Sequence, residues 1–121
     1  MLHLILECYG CEKEKLKDEI FIKEFLNNSV EILDMTKIGE PYLVKYNGKN
    51  DDERGISGFV IIAESHISIH TWPEYNYASI DVFSCKDFDK KLITDYIKKE
   101  FNVKKIKNKV FKRGDSVEYK N

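Results

Sequence analysis

GFVIIAESHISIHTWPEYNYASIDVFSC, residues 58–85, holds the pattern on which the fold turns. Gly58 to Ala63 is an apolar run of buried-strand length. From His66 to Trp72 the residues alternate: Ile67, Ile69 and Thr71 share one side, and His66, Ser68, His70 and Trp72 the other. Pro73 to Asn76 is a turn. Tyr77 to Cys85 alternates again, with Ile80, Val82 and Ser84 on one side and Asp81, Phe83 and Cys85 on the other. Glu64-Ser65 falls at the junction between the first two strands.

Working outward, Met1 to Cys8 is rich in Leu and Ile and predicts a strand ending at Gly10. Glu12 to Asn28 predicts a helix, with Leu16, Ile20, Phe21, Phe25 and Leu26 at helical spacing and Asn27-Asn28 as its stop. Val30 to Lys37 and Pro41 to Tyr46 predict strands, the second closed by Asn47-Gly48. Lys49 to Gly55 is charged and predicts an exposed loop. On the other side, Asp87 predicts the cap of a helix from Phe88 to Glu100, with Phe88, Leu92, Ile93, Tyr96 and Ile97 as its buried stripe. Val103 to Arg113 predicts a last strand, with Val103, Ile106, Val110 and Phe111 not all on one phase. The tail after Gly114 is polar and expected to fray. The order predicts an α+β fold: a two-layer sandwich, a mostly antiparallel sheet with two helices packed on one face.

The 121 residues fit one domain, and so small a core gains from a symmetric partner. Twenty basic and twenty-one acidic residues leave a formal charge of −1, which argues against a general nucleic-acid or membrane binder. Lysines between Lys98 and Lys112 are offset by Asp87, Asp89, Asp95 and Glu100. The opening MLHLILECYG lacks the basic start of a signal peptide, and no apolar run nears the ~18 residues of a membrane span. Cys8, Cys11 and Cys85 make an odd count, as expected of reduced thiols in the cytoplasm. Cys8 and Cys11 have CxxC spacing, but neither a second such pair nor paired histidines nearby complete a zinc site.

Chemistry concentrates in Glu64, Ser65, His66, Ser68, His70 and Glu74, with two of the three histidines and the single Trp. A half-buried strand so loaded must pair its polar groups or lose free energy. Three readings stand open on the residues alone. The histidines are surface groups of an edge strand; or His66, His70 and Cys85 hold a metal; or Ser65 is a nucleophile with a histidine base and Cys85 as proton donor.

GxSG before the first strand (Gly55–Gly58), ESH at residues 64–66, HTWPE at 70–74 and DVFxC at 81–85, in one register, resemble the prokaryotic S-adenosylmethionine decarboxylase proenzymes. HLILExYGC at the N-terminus matches more loosely. The resemblance implies that Ser65 attacks the carbonyl of Glu64 and that β-elimination then cuts the chain into 1–64 and 65–121. Residue 65 is left as a pyruvoyl group, the self-derived cofactor, which takes the substrate amine as a Schiff base. It further implies His70 as processing base assisted by Ser57, Cys85 as proton donor, and Glu74 on the ribose hydroxyls, with Glu7 facing the pocket. The implied partners are S-adenosylmethionine and a second copy of the chain, the pathway is spermidine synthesis, and no metal is called for.

Two departures stand out. The stretch from Met35 to Arg54 is longer than the family pattern, and Asn76 stands where typical members carry Gly. The first touches the region of the substrate pocket and keeps one alternative open, a pyruvoyl-dependent decarboxylase of arginine or ornithine; a separate reading is an uncut, non-catalytic partner subunit, against which the presence of Ser65, His70 and Cys85 argues.

Overall fold

The computed structural model describes residues 1–114, and the tail expected to fray lies outside them. Six strands form one antiparallel sheet: β1 (Leu2–Tyr9), β2 (Thr36–Asn47), β3 (Arg54–Ala63), β4 (Ser65–Trp72), β5 (Tyr77–Ser84) and β6 (Lys105–Lys112), in the order β2-β3-β4-β5-β1-β6. Helices α1 (Lys13–Leu16), α2 (Glu19–Ile32) and α3 (Lys90–Glu100) complete the fold. The core lies between α2, α3 and the face carrying Leu4, Leu6, Val60, Ile62, Ile67, Ile69, Ile80 and Val82, all buried. The alternation expected of residues 66–85 is present, since Ile67, Ile69, Thr71, Ile80, Val82 and Ser84 are buried while their neighbours face the open side.

Several boundaries differ from expectation. The first helix breaks at Lys17-Asp18, because the Asp18 carboxylate accepts the Ile20 and Phe21 N–H groups and starts α2 anew. It then runs through Asn27-Asn28 to Ile32. Ile22, Phe25, Leu26, Ser29 and Val30 form its buried stripe, so Val30 belongs to a helix and not to a strand. Ile20, expected in the stripe, is 73% exposed. Asp34, in the left-handed region at φ 53°, ends the helix, with the Met35 N–H donating to the Val30 carbonyl. The two strands expected between residues 30 and 46 are therefore one, β2, whose pairing with β3 shifts between Ile38 and Tyr42. The charged loop shrinks to a 3₁₀ turn, Asp51–Glu53, tied down by Arg54, which donates to the carbonyls of Gly48 and Lys49. Asp89, not Asp87, caps the third helix by accepting from the Leu92 N–H, and Leu92 is exposed. In β6, Ile106 pairs with Cys8 and Val110 with Leu4 on the helix side, while Phe111 faces the open side beside His3, which explains its odd phase.

Asn76 takes φ 51°, a left-handed conformation that asparagine tolerates nearly as well as glycine. Its amide donates to the Cys11 carbonyl at 3.0 Å, so the departure at this position is absorbed locally. Gly55 is less replaceable. At φ 153° a side chain is already strained, and a Cβ there would lie 1.8 Å from the Thr71 carbonyl oxygen. Gly55→Ala is expected to cost about 3 kcal/mol or more, seen as a large fall in the denaturant midpoint. A melt matching that of the parent chain would contradict this packing.

Candidate active site

The polar cluster is divided between two ends of the sheet: Ser57 and His70 lie on the helix-free face, and Ser65 lies at the β3–β4 turn, opposite buried Ile62. At one end, Ala63 and Glu64 turn the chain from β3 into β4, where Ile62 pairs with Ser65. Ser65 Oγ contacts the Glu64 carbonyl oxygen. The Cys85 N–H donates to Ser65 Oγ at 3.0 Å, and the Cys85 thiol donates to the Glu64 carbonyl at 3.4 Å. Cys85 sits just past β5, which carries the thiol to the turn. A nucleophilic oxygen, an acceptor carbonyl and a donor polarising that carbonyl are thus grouped at one peptide bond.

At the other end, Ser57 Oγ lies 2.8 Å from His70 Nδ1, the two residues being directly paired across β3 and β4. Within a chain this pair is far from Ser65. Five residues along a strand span about 16 Å. His70 therefore cannot reach the Ser65 hydroxyl of its own chain. The same separation defeats a metal shell of His66, His70 and Cys85, and no group of three or more ligating residues is placed for a metal among the described residues.

Glu74 lies on the 3₁₀ turn Pro73–Tyr75. Its carboxylate takes Lys13 Nζ at 2.9 Å, which holds Glu74 below the usual carboxylate range and Lys13 above its own. Glu7, on the open face of β1, accepts from the Tyr77 hydroxyl at 3.3 Å, and burial, then Glu7, raises the phenol of Tyr77. Cys8 and Cys11 are buried, and burial pushes their thiols to about 12 and about 11. Burial therefore favours the protonated thiol at both positions.

Sequence periodicity did not reveal what surrounds Ser65. His66 lies across from Phe83, which pairs with His3, and Arg113 stacks on the Phe83 ring at 4.3 Å. Burial and the nearby His3 push His66 below the free-imidazole value of 6.5, with Arg113 acting the same way and Asp81 opposing them. The folded chain thus binds this proton more weakly than the unfolded one. Stability is full above pH 6.5 and falls as pH drops below it toward the folded value. Thermal melts of the chain against His66→Gln, from pH 7 to 5, are expected to converge as the pH falls; parallel curves would contradict the assignment.

The family model described as S-adenosylmethionine decarboxylase matches residues 2–114. The S-adenosylmethionine decarboxylase proenzyme of Aquifex aeolicus is 38% identical over 114 residues, 93% of this chain and 80% of the relative. That of Clostridium botulinum strain Langeland is 40% identical over 113 residues, covering 93% and 92%. The crystal structure of the adenosylmethionine decarboxylase from Aquifex aeolicus superposes with a TM-score of 0.81 at 34% identity, covering 99% of this chain and 95% of that one.

Proposed function

This chain belongs to the S-adenosylmethionine decarboxylase family and is an enzyme of that activity, and we propose that it makes its own pyruvoyl group at Ser65. The observation that carries the proposal is the contact of Ser65 Oγ with the Glu64 carbonyl, beside both donors of Cys85. Ser65 Oγ attacks the Glu64 carbonyl carbon, and the C–N bond breaks in favour of an ester. The Cys85 thiol, directed at the carbonyl oxygen, stabilises the charge that develops there. Loss of the Ser65 Cα proton then expels the Glu64 carboxylate, leaving fragments 1–64 and 65–121. Hydrolysis of the resulting dehydroalanine releases ammonia and leaves the pyruvoyl group. That group supplies an electron-withdrawing carbonyl into which the electrons of a departing carboxylate can move. Cys85 holds the proton returned to carbon; Glu74 and Glu7 lie at the His70 end of the sheet, away from Ser65 of their own chain, and so meet the ribose hydroxyls and the bound molecule from a second copy of the chain.

His70 enters this scheme from a second copy of the chain. Ile38, Tyr42, Val44, Tyr46, Phe59, Ile61 and Phe111 are all exposed, and all fall on the open face. An apolar surface of this extent is rare on a monomer. Two such faces packed about a twofold axis that lies between the sheets and crosses the strands set Ser65 of one protomer over the His70–Ser57 pair of the other. In this isologous homodimer the partner's His70 is the processing base and the partner's Ser57 holds its ring. No helix among the described residues is long and apolar enough to cross a membrane. The place proposed is the cytoplasm, and spermidine synthesis is the pathway.

Release of carbon dioxide from carboxyl-labelled S-adenosylmethionine, arginine and ornithine tests the reading. Release from the first alone is expected. Release from arginine or ornithine and not from S-adenosylmethionine would overturn the substrate.

A further inference from the structure

Lys13 opens α1, and its Nζ donates to Oε2 of Glu74 on the 3₁₀ turn Pro73–Tyr75 at 2.9 Å. Three further bonds hold these two segments together. The Cys11 N–H donates to the Asn76 carbonyl at 2.9 Å, and the Asn76 side-chain amide returns a bond to the Cys11 carbonyl at 3.0 Å. The Thr71 hydroxyl donates to the Leu16 carbonyl at 2.7 Å. Both ends of α1 are thereby tied to residues that flank Glu74, and Lys13 is kept beside the turn. The side chains of Lys13 and Glu74 are 42% and 28% accessible. An ion pair so open to water adds little to stability, so the fold alone does not account for it. Among the described residues, Lys13 is the one hydrogen-bond donor to this carboxylate.

We infer that Lys13 is a positioning residue that fixes the Glu74 carboxylate for the ribose hydroxyls of the substrate. This rests on the role given to Glu74 above and adds the group through which that role is set. A glutamate on an exposed turn has three side-chain torsions to order when a ligand arrives, and ordering them beforehand lowers the cost of binding. Each carboxylate oxygen accepts more than one hydrogen bond, so a lysine on Oε2 leaves both oxygens able to meet a vicinal diol. Lys13 acts on aim and not on charge, since a carboxyl of the ordinary value 4.5 is ionised at pH 7 with or without a cation beside it.

Steady-state decarboxylation of carboxyl-labelled S-adenosylmethionine by the processed enzyme is the test. Lys13→Met keeps most of the apolar stem and removes the charge. It is expected to raise KM about tenfold with kcat within about twofold of the parent. Glu74→Gln is expected to raise KM by about tenfold or more, and Lys13→Met added to it to change nothing further, because the lysine acts through the carboxylate. Lys13→Arg is expected to stay within about threefold of the parent KM, since a guanidinium also donates to a carboxylate. Self-cleavage and the thermal midpoint of each variant are expected to match the parent's. An unchanged KM in Lys13→Met, or a further rise when Lys13→Met is added to Glu74→Gln, overturns the inference and leaves the decarboxylase reading standing. A Lys13→Met chain that stays uncut or melts well below the parent assigns the lysine to folding and overturns it too. No release of carbon dioxide from S-adenosylmethionine by the parent enzyme overturns the decarboxylase reading itself, and the inference with it.

Discussion

Coexpression of a Ser65→Ala chain with a His70→Ala chain will restore cleavage and decarboxylase activity that neither chain has alone. The proposed shared site requires it. Ser65 and His70 sit at opposite ends of β4, about 16 Å apart by strand rise, and His70 is held by Ser57 rather than by the turn at Glu64. In the proposed dimer each site takes Ser65, Glu64 and Cys85 from one protomer and His70 and Ser57 from the other. A Ser65→Ala chain offers a working His70 but no nucleophile, and a His70→Ala chain offers the reverse. Their mixed dimer holds one complete site and one empty of both groups. Random pairing makes half of the dimers mixed, so about a quarter of the parent activity returns. Only the His70→Ala chain is cut. If His70→Ala is cut at the parent rate by itself, the histidine is not the processing base. If neither chain is cut together or apart, the sites are not shared.

Phe59→Glu will convert the proposed dimer to monomer and stop cleavage with it. Phe59 is 41% exposed in the single chain, so the substitution leaves the protomer's own core intact. In the proposed dimer the same position would be shut from water, where an unpaired carboxylate and a lost aromatic contact cost about 3 kcal/mol. The proposed interface is isologous, so the cost is incurred twice, and dimer affinity falls by roughly 10⁴. Molar mass by light scattering near that of one chain, a melt close to the parent's, and an uncut chain are the expected results. A dimeric, fully cut Phe59→Glu protein would place the interface elsewhere.

The central strands were legible in the sequence because β4 and β5 bury one face only, and a period of two then marks Ile67, Ile69, Ile80 and Val82. The region between residues 28 and 46 was not, for two physical reasons. Asn27-Asn28 reads as a helix stop, yet the stripe continues through Ser29 and Val30, and packing outweighs propensity there. β2 lies at the sheet edge with nearly every residue exposed, so it carries little alternation to read. The family resemblance brought out Ser65, Cys85, Ser57, His70 and Glu74, but not that Ser65 and Cys85 stand at one end of the central strands and Ser57, His70 and Glu74 at the other. That follows only from strand register. Lys13, the partner of Glu74, comes from a helix 61 residues earlier in the chain.

The intact mass of the purified protein under denaturing, reducing conditions, beside a Ser65→Ala variant, bears most directly on the claim that the chain cuts itself. Two fragments, 1–64 and 65–121 with a pyruvoyl group at the new N-terminus, are expected from the parent, and one uncut chain from Ser65→Ala. A single uncut chain in both samples, or a cut that survives Ser65→Ala, would contradict it.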